Sequence, residues 1–503
     1  MKKIVVVVVV LVLLLVVAPW GVGRVAQQRI DNGLAKLTEQ APYLKVVENK
    51  YTTGWFKSEQ VITFEAFGPW MKAMSDAMKK AGAPMSTDME PHEPGAVEPP
   101  ADAAAAATDP AVDPAAVPPV EPAALPESPM RFTVRNEILH GPVLGLSGLG
   151  IARVESHLVL AEDTRKKIAE LFGPKDPLEI TTRVGFFGGG TTTFKSEGRT
   201  IKPKDSKVQI TWETFKLAVG YSHNADSYDM DGKWPKVEVN NLDDKSHVVM
   251  SDMTIGGEGR RVRGDLYDGN FTFGIDNLVI DGKDSESFEM KGLNVTEVIE
   301  TKGDFTGVSA KMGTGEVKVK ELTSMGIALK EVHYDIGVRR LHTPTLEKIF
   351  ASMKAMYAKP LPVGVEVEKM VFAPFKEGGA ELLKYDPEFV IDRIGIVTAD
   401  GDGYIKGLVT LKGATPDDFG SGSMGLIGKI HADITIDVSE KMIQKFPNGS
   451  TAAGAGVDSG YVKREGDRLI CKILFAEGKL TVNGKPQAIP GLGGPPQEGP
   501  PPQ

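Results

Sequence analysis

Apolar and polar residues alternate along most of the chain beyond residue 130, as in FTFGIDNLVIDG, FEMKGLNVTEV and RLICKILFAEGKLTVNGKP. A period of two places one row of side chains on each face of a β-strand, and Gly, Asn and Asp interrupt the runs at short intervals. Strands that follow one another so closely pair as antiparallel neighbours. We therefore predict a mainly β fold with a few helices (α+β), arranged as an elongated, twisted antiparallel sheet system.

A second pattern, with apolar residues three to four positions apart, predicts a few helices. It occurs between residue 24 and Pro42, in WMKAMSDAMKKAGAP, in TPTLEKIFASMKAMYAKP and in SEKMIQKF. The apolar positions of the first two are Val25, Ile30, Leu34, Leu37, Met71, Met74 and Met78. Between these two helices, VITFEAF alternates like a strand and Gly54 suits a hairpin turn. Residues 24–82 are therefore predicted to form a membrane-proximal helix, a hairpin and a Met-rich helix.

The N-terminus has no alternation, because the twenty residues from Ile4 to Gly23 carry no charge. A helix of that length rises about 30 Å, which matches the hydrocarbon core of a bilayer. We predict cytoplasmic residues 1–3 and a transmembrane signal anchor at 4–23, with Lys2 and Lys3 on the cytoplasmic side and Trp20 at the far interface. The sheet would then lie behind a single N-terminal transmembrane helix, in the periplasm of a double-membraned bacterium. The alternative is a signal peptide cleaved after Ala18, which Pro19 should obstruct.

Acidic residues are concentrated in one segment of the chain. The net charge is −9, and residues 83–130 contain nine acidic residues, no Lys or Arg, and many Pro and Ala. Such a segment cannot bury enough apolar surface to fold, so we predict a disordered acidic insertion at 83–130 and a similar tail at 487–503, on either side of a β-rich periplasmic domain at 131–486. Without the insertion the chain has equal numbers of acids and bases, which argues against a nucleic-acid partner.

The sequence contains few candidates for catalytic or metal-binding residues. Cys471 is the only cysteine, so one chain can form neither a disulfide nor a cysteine zinc cluster. The stretch SYDMDGKWPKVE places Asp229, Asp231 and Glu238 at ligand positions of a calcium loop, although a solvated hairpin turn explains the same residues. No catalytic motif and no cofactor-binding motif is found, and Asp400 and Asp402 would matter only if they faced a pocket.

Three short motifs carry a resemblance. YTTGWFKS, LHGPV and GKLTVNGKP follow the apolar N-terminus in that order, and together they resemble the YdgA-like family of bacterial envelope proteins, a domain of unknown function. The resemblance implies an inner-membrane-anchored periplasmic protein without established chemistry, and it supplies no catalytic residue. Its motif residues, which we interpret as structural, are Tyr51, Gly54, Trp55, Phe56, His140, Gly141, Pro142, Asn483 and Gly484.

Two of these motifs leave alternatives open. Trp55 and Phe56 at a hairpin tip could meet the bilayer surface or a partner, but we favour the interpretation that they fold back and pack onto the sheet. His140 could be a general base, but a hydrogen-bonded structural histidine at a turn fits its lack of a companion better.

The sequence therefore predicts a non-enzymatic envelope scaffold or a protein that binds lipid or an envelope partner and is held at the inner membrane. The alternative is an envelope hydrolase that acts on lipid or peptidoglycan without a recognisable motif.

Overall fold

A computed structural model describes residues 22–39, 41–66, 130–145, 148–204, 206–282, 287–359, 373–374, 378–415, 418 and 423–488. The predicted Met-rich helix, residues 83–129 of the predicted acidic insertion and residues 489–503 of the predicted tail lie outside the described residues, as do Lys2, Lys3 and Trp20. Met130 and Gln487, which we assigned to the insertion and the tail, lie in strands.

The strands are short in the first part of the chain and long in the middle. They are β1 Leu44–Thr52, β2 Lys57–Ala66, β3 Met130–His140, β4 Ala152–Val159, β5 Glu179–Val184, β6 Gly190–Ser196, β7 Arg199–Ile201, β8 Val208–Trp212, β9 Phe215–Tyr221, β10 Ser227–Asn241, β11 His247–Arg263, β12 Leu266–Asp281, β13 Ser287–Lys302, β14 Phe305–Thr314, β15 Val317–Val319, β16 Leu329–His342, β17 Glu388–Thr398, β18 Gly401–Leu411, β19 Ile430–Ser439, β20 Lys463–Glu465, β21 Arg468–Ala476, β22 Lys479–Val482 and β23 Lys485–Gln487.

Helices lie between and before these strands. They are α1 at 22–39, α2 Glu162–Phe172, α3 Lys320–Ser324, α4 Thr343–Tyr357, α5 at 378–383, α6 Ser423–Ile427, α7 Glu440–Ile443 and α8 Gly449–Asp458, with a 3₁₀ turn at His223–Ala225.

One large antiparallel sheet contains the strands. Its main path runs from β1 to β6 in chain order, passes through β9 to β10, and continues to β14, β16, β17, β18, β19, β21, β22 and β23. The pair β7–β8 extends along the second half of β10, and β15 bridges β13 and β16. Neighbours in space are mostly neighbours in sequence, as closely spaced turns dictate.

The hairpin β1–β2 belongs to this sheet. Strand β2 pairs along its whole length with β3, from Lys57 opposite Leu139 to Ala66 opposite Met130. The segments on either side of residues 67–129 are therefore hydrogen-bonded neighbours, and the hairpin and the region after residue 130 share one sheet.

The predicted fold class needs a correction. The mainly β, antiparallel part agrees with the structure, but no helix of the described residues combines the length and the apolar character needed to cross a membrane. Residues 4–21 of the predicted transmembrane helix lie outside the described residues. Val22 and Gly23, which we assigned to its end, instead begin α1, a helix that contains Arg24, Arg29 and Asp31 and packs on the sheet.

Candidate binding site

Helix α1 lies across one face of the sheet and contacts it closely only over its first half. Ala26 is 1% exposed and packs among Ile138, Ile151 and Val154, with Ile30 at the edge of this cluster. From Gly33 onward most α1 side chains are exposed. The second half of α1 therefore stands off the sheet, and a cavity of about 920 Å³ lies between them.

Strands β2 to β6 and β9 form the floor of this cavity. Because side chains alternate along a strand, only every second residue of each strand faces α1. The strand registers place a polar row across the middle of the floor, where Gln60, Asn136 and Ser156 lie side by side, with apolar residues on both sides of the row. The apolar members of the floor are Ile62, Phe64, Val134, Val154 and Val184, and its polar members are Gln60, Asn136, Ser156, Thr182 and Thr192.

Two buried amides anchor the polar part of the floor. Gln60 is completely buried and Asn136 nearly so. Asn136 Nδ2 donates to Gln60 Oε1 at 3.2 Å, and Gln60 Nε2 donates to Asn49 Oδ1 at 2.9 Å. Buried amides are costly without partners, so this row fixes polar groups at a defined place in a largely apolar surface.

Basic side chains of α1 stand at the mouth of the cavity. Arg29 Nη1 lies 3.3 Å from His223 Nδ1, and Lys36 Nζ donates to Asn224 Oδ1. Arginine can only donate, so the Nδ1 of His223 accepts. Both contacts tie α1 to the turn between β9 and β10. Tyr221 also lines the cavity, and burial raises the pKa of its hydroxyl.

A serine and a histidine are paired beneath the start of α1. His140 Nε2 lies 2.9 Å from Ser58 Oγ, and His140 Nδ1 lies 3.1 Å from the carbonyl oxygen of Trp55. A carbonyl only accepts, so Nδ1 carries the proton and Ser58 donates to Nε2. Both side chains are buried, at 5% and 3% exposure. A Cβ on Gly23 would lie 2.4 Å from the His140 ring, so α1 closes directly over the pair.

A family model described as a bacterial protein of unknown function (DUF945) matches residues 1–490. The chain belongs to the DUF945 family. No curated protein and no solved structure matches the chain. The match agrees with the broader part of the resemblance noted in the sequence, a bacterial family of unknown function, and the YdgA-like name stays a prediction.

Several motif residues of this DUF945 protein occupy tight backbone positions. A Cβ on Gly54 would lie 2.1 Å from the carbonyl oxygen of Lys57, and one on Gly141 would lie 1.8 Å from that of Gly150. Gly141 and Pro142 are joined by a cis peptide bond. Tyr51 packs beside the core under α1, where burial raises the pKa of its hydroxyl. Only glycine fits at the first two positions without displacing backbone.

The Asn483-Gly484 turn joins β22 to β23. Both residues have positive φ, +50° and +80°, as a two-residue hairpin turn of this type requires. Asn483 Oδ1 accepts from the Lys472 amide at 3.0 Å, and its Nδ2 donates to the Tyr461 carbonyl at 3.0 Å. The asparagine thus holds the closing hairpin to β21 and to the preceding loop.

The calcium candidates are not brought together. Asp229, Asp231 and Glu238 lie on β10, which pairs without interruption with β11. Residues 231 and 238 are seven positions apart on an extended strand, so they face opposite sides and stand about 23 Å apart. Glu238 is held by Asn240 and Lys236 instead, and these hydrogen bonds lower its pKa to about 2. Within the described ranges no three His, Cys, Asp or Glu side chains could hold a metal ion.

The aspartates of TADGDGYIKG do not face the cavity. Asp402 pairs with Arg468, which also binds Asp437, and Asp400 lies 3.8 Å from Lys445. Each carboxylate has a cationic partner, so the two do not form an acid–base pair.

Sequence reasoning missed the residues of the cavity. The alternation of VITFEAF puts Ile62 and Phe64 on one face of β2, and the same alternation continues back to Gln60 and Ser58. Gln60 and Ser58 are polar residues on a face of β2 that is otherwise apolar, and this pattern could have indicated a site. The positions of Arg29 and His223 gave no such indication, because 194 residues separate them.

Proposed function

We propose that this DUF945 protein is a non-enzymatic protein of the bacterial cell envelope that binds an amphiphile with an acyl-like chain and an acidic head. The main support for the proposal is the cavity under α1, whose floor is largely apolar and whose mouth is basic. Its volume of about 920 Å³ falls in the range of roughly 300–1,000 Å³ that small-molecule sites occupy.

The floor suits the chain of such a molecule. Ile62, Phe64 and Val134 offer a continuous apolar surface, and burying each methylene of a ligand contributes about 0.8 kcal/mol. The Gln60–Asn136 pair offers fixed polar groups at the side of this surface, which suits an ester or a hydroxyl better than a purely hydrocarbon ligand.

The mouth suits the acidic head. Arg29 and Lys36 now contact neutral acceptors, His223 and Asn224, and a carboxylate or phosphate would accept a stronger, charge-assisted hydrogen bond from the same donors. Envelope localisation is supported by the uncharged run from Ile4 to Gly23. Cell fractionation tests it, and recovery of the protein with cytoplasmic contents would contradict it.

The experiment for the ligand is native mass spectrometry of the full chain purified in mild detergent. We expect adducts that organic extraction removes and that extraction identifies as acidic amphiphiles. Arg29→Gln should weaken their retention, whereas Lys45→Gln, an exposed lysine on β1 away from the cavity, should not. Retention that is equal in both variants, or adducts without an acidic group, would overturn the assignment of the head.

A hydrolase is the second candidate, because the contact between Ser58 Oγ and His140 Nε2 resembles a nucleophile and its base. It ranks lower because α1 covers both side chains and a backbone carbonyl, not a carboxylate, orients the histidine. Labelling by a fluorophosphonate that Ser58→Ala abolishes would favour this candidate.

A further inference from the structure

Exposed apolar side chains gather at one end of the sheet. They lie in three loops, between β1 and β2, between β3 and β4, and between β5 and β6, and we call them the apolar rim: Trp55, Phe56, Val143, Leu149, Phe186 and Phe187. Backbone hydrogen bonds join the three loops in series, from the His140 amide to the Phe56 carbonyl and from the Ile151 amide to the Val184 carbonyl.

The rim is a fixed part of the fold. Phe187 is 92% exposed, and the other members are 45% to 64% exposed. In the middle loop, Val143 and Leu149 form a β-bridge, and Leu144 beside them is fully buried. Leu144 thus anchors the loop while its neighbours point outward. Six large apolar side chains held together in solvent mark an interaction surface.

The charge of the rim indicates the kind of surface it meets. The loop sequences TGWF, GPVLGLSGLGI and GFFGG contain no Asp or Glu, and Lys57 directly follows Phe56. An anionic lipid surface would therefore meet no carboxylate in these loops. Amphipathic and aromatic side chains such as Trp55 also suit the boundary between lipid headgroups and acyl chains.

The position where the chain enters the fold also favours a lipid surface. Helix α1 begins at this end of the sheet, where Gly23 rests on the His140 ring beneath the first rim loop. Residues before α1 therefore connect to the fold beside the rim. Their sequence from Ile4 onward carries no charge.

We propose that the apolar rim docks on the surface of a lipid bilayer that contains anionic headgroups. The rim side chains enter the headgroup region, Lys57 meets phosphate, and the opposite ends of the same strands face away from the lipid. This inference does not depend on what occupies the cavity.

The test is a depth-sensitive fluorescent label on the full chain. Phe187→Cys and Leu178→Cys are made in a Cys471→Ser background and labelled with an environment-sensitive fluorophore. Leu178 is also exposed but precedes β5, at the far end of the same strand, so it is the matched control. Both proteins are added to vesicles of phosphatidylethanolamine and phosphatidylglycerol with or without a brominated lipid.

We expect a blue shift at position 187 that brominated lipid quenches, and no shift at position 178. The comparison of positions isolates the rim, because the apolar N-terminal sequence alone could bring the whole chain to vesicles. The proposal would be overturned by equal blue shifts at the two positions, or by the absence of a shift at 187 in protein that floats with the vesicles in a density gradient. It would also be overturned if the protein did not float with the vesicles. A shift at 187 that grows with protein concentration without vesicles would overturn it as well, because it would assign the rim to a protein partner. If Cys471→Ser lowers the melting temperature, Cys471 is kept, since burial raises the pKa of its thiol and favours labelling of the introduced one.

Discussion

The Gln60–Asn136 pair allows a quantitative test of the cavity floor. Gln60→Leu keeps a side chain of similar size and removes both hydrogen-bonding groups. Asn49, the acceptor of Gln60, is exposed and can turn to water, whereas Asn136 is buried and loses the acceptor of its Nδ2. One buried amide without its partner costs about 1–3 kcal/mol. We expect Gln60→Leu to lower the free energy of unfolding by that amount.

Asn136→Leu should cost a similar amount, because it leaves Gln60 Oε1 without its donor. In the double variant neither amide remains, so its cost should be smaller than the sum of the single costs by about 1 kcal/mol or more. Urea unfolding followed by circular dichroism and by tryptophan fluorescence measures all three. Thr63→Val is the control, since it removes the bond to Thr133 from the same two strands on their opposite, partly exposed face, and we expect a loss of only about 0.5 kcal/mol or less.

Additive costs would contradict this coupling between the two amides. If each single variant costs less than about 0.5 kcal/mol and the double variant costs their sum, the two amides are solvated independently. The floor would then be open to water along its polar row.

Three further predictions concern other parts of the fold. Gly141→Ala should lower the melting temperature, because the alanine Cβ would collide with the Gly150 carbonyl oxygen. Gly454→Ala in α8 is the control, since its Cβ would meet no atom within 4 Å and it should stabilise the protein by about 0.5–1 kcal/mol. Calorimetry of both variants measures this, and equal losses of melting temperature would contradict it. Asn483→Ala should lower the urea midpoint more than Asn483→Gly, because both variants lose the side-chain bonds but glycine tolerates the positive φ better than alanine; the reverse order would contradict a cost from the backbone conformation. The pKa of Glu238 is lowered from 4.5 to about 2, so the stabilisation by its carboxylate is complete above pH 4.5 and is lost as the pH falls towards 2. Between pH 6 and pH 2 the melting temperature should therefore fall more steeply for the native chain than for Glu238→Gln. An equal dependence of melting temperature on pH in the two proteins would contradict this.

Local patterns in the sequence predicted the elements well, because period and turn residues act over a few positions. Alternation after residue 130 predicted antiparallel strands. The Asn-Gly pair at 483–484, interpreted as structural, is typical of a tight hairpin turn and has the positive φ values that such a turn requires. The helix after residue 24 was also predicted, but its buried face was not: Ala26 packs on the sheet, whereas Val25 is 43% exposed. A small residue such as Ala26 lets the helix backbone approach the sheet closely. A pattern of hydrophobic residues does not show which position is small enough for this contact.

The site could not be predicted because its parts are distant in sequence. The pairing of β9 with β6 brings His223 to Arg29. Gln60 contacts Asn136, although residues 67–129 lie between their strands in the sequence. The spacing of Asp231 and Glu238 was considered as a calcium loop or as a hairpin turn, and both interpretations assume a loop. Strand β10 instead runs continuously through both residues.

The binding of a fluorescent fatty acid to full-length protein freed of bound lipid tests whether an acyl chain occupies the cavity under α1. Ser156 lies on the floor, on the same face as the buried Val154, so Ser156→Phe should fill the cavity and Ser156→Ala should leave it open. We predict saturable binding by the native chain and by Ser156→Ala, and its loss in Ser156→Phe at unchanged melting temperature. Equal binding by all three proteins would show that the acyl chain does not enter the cavity under α1.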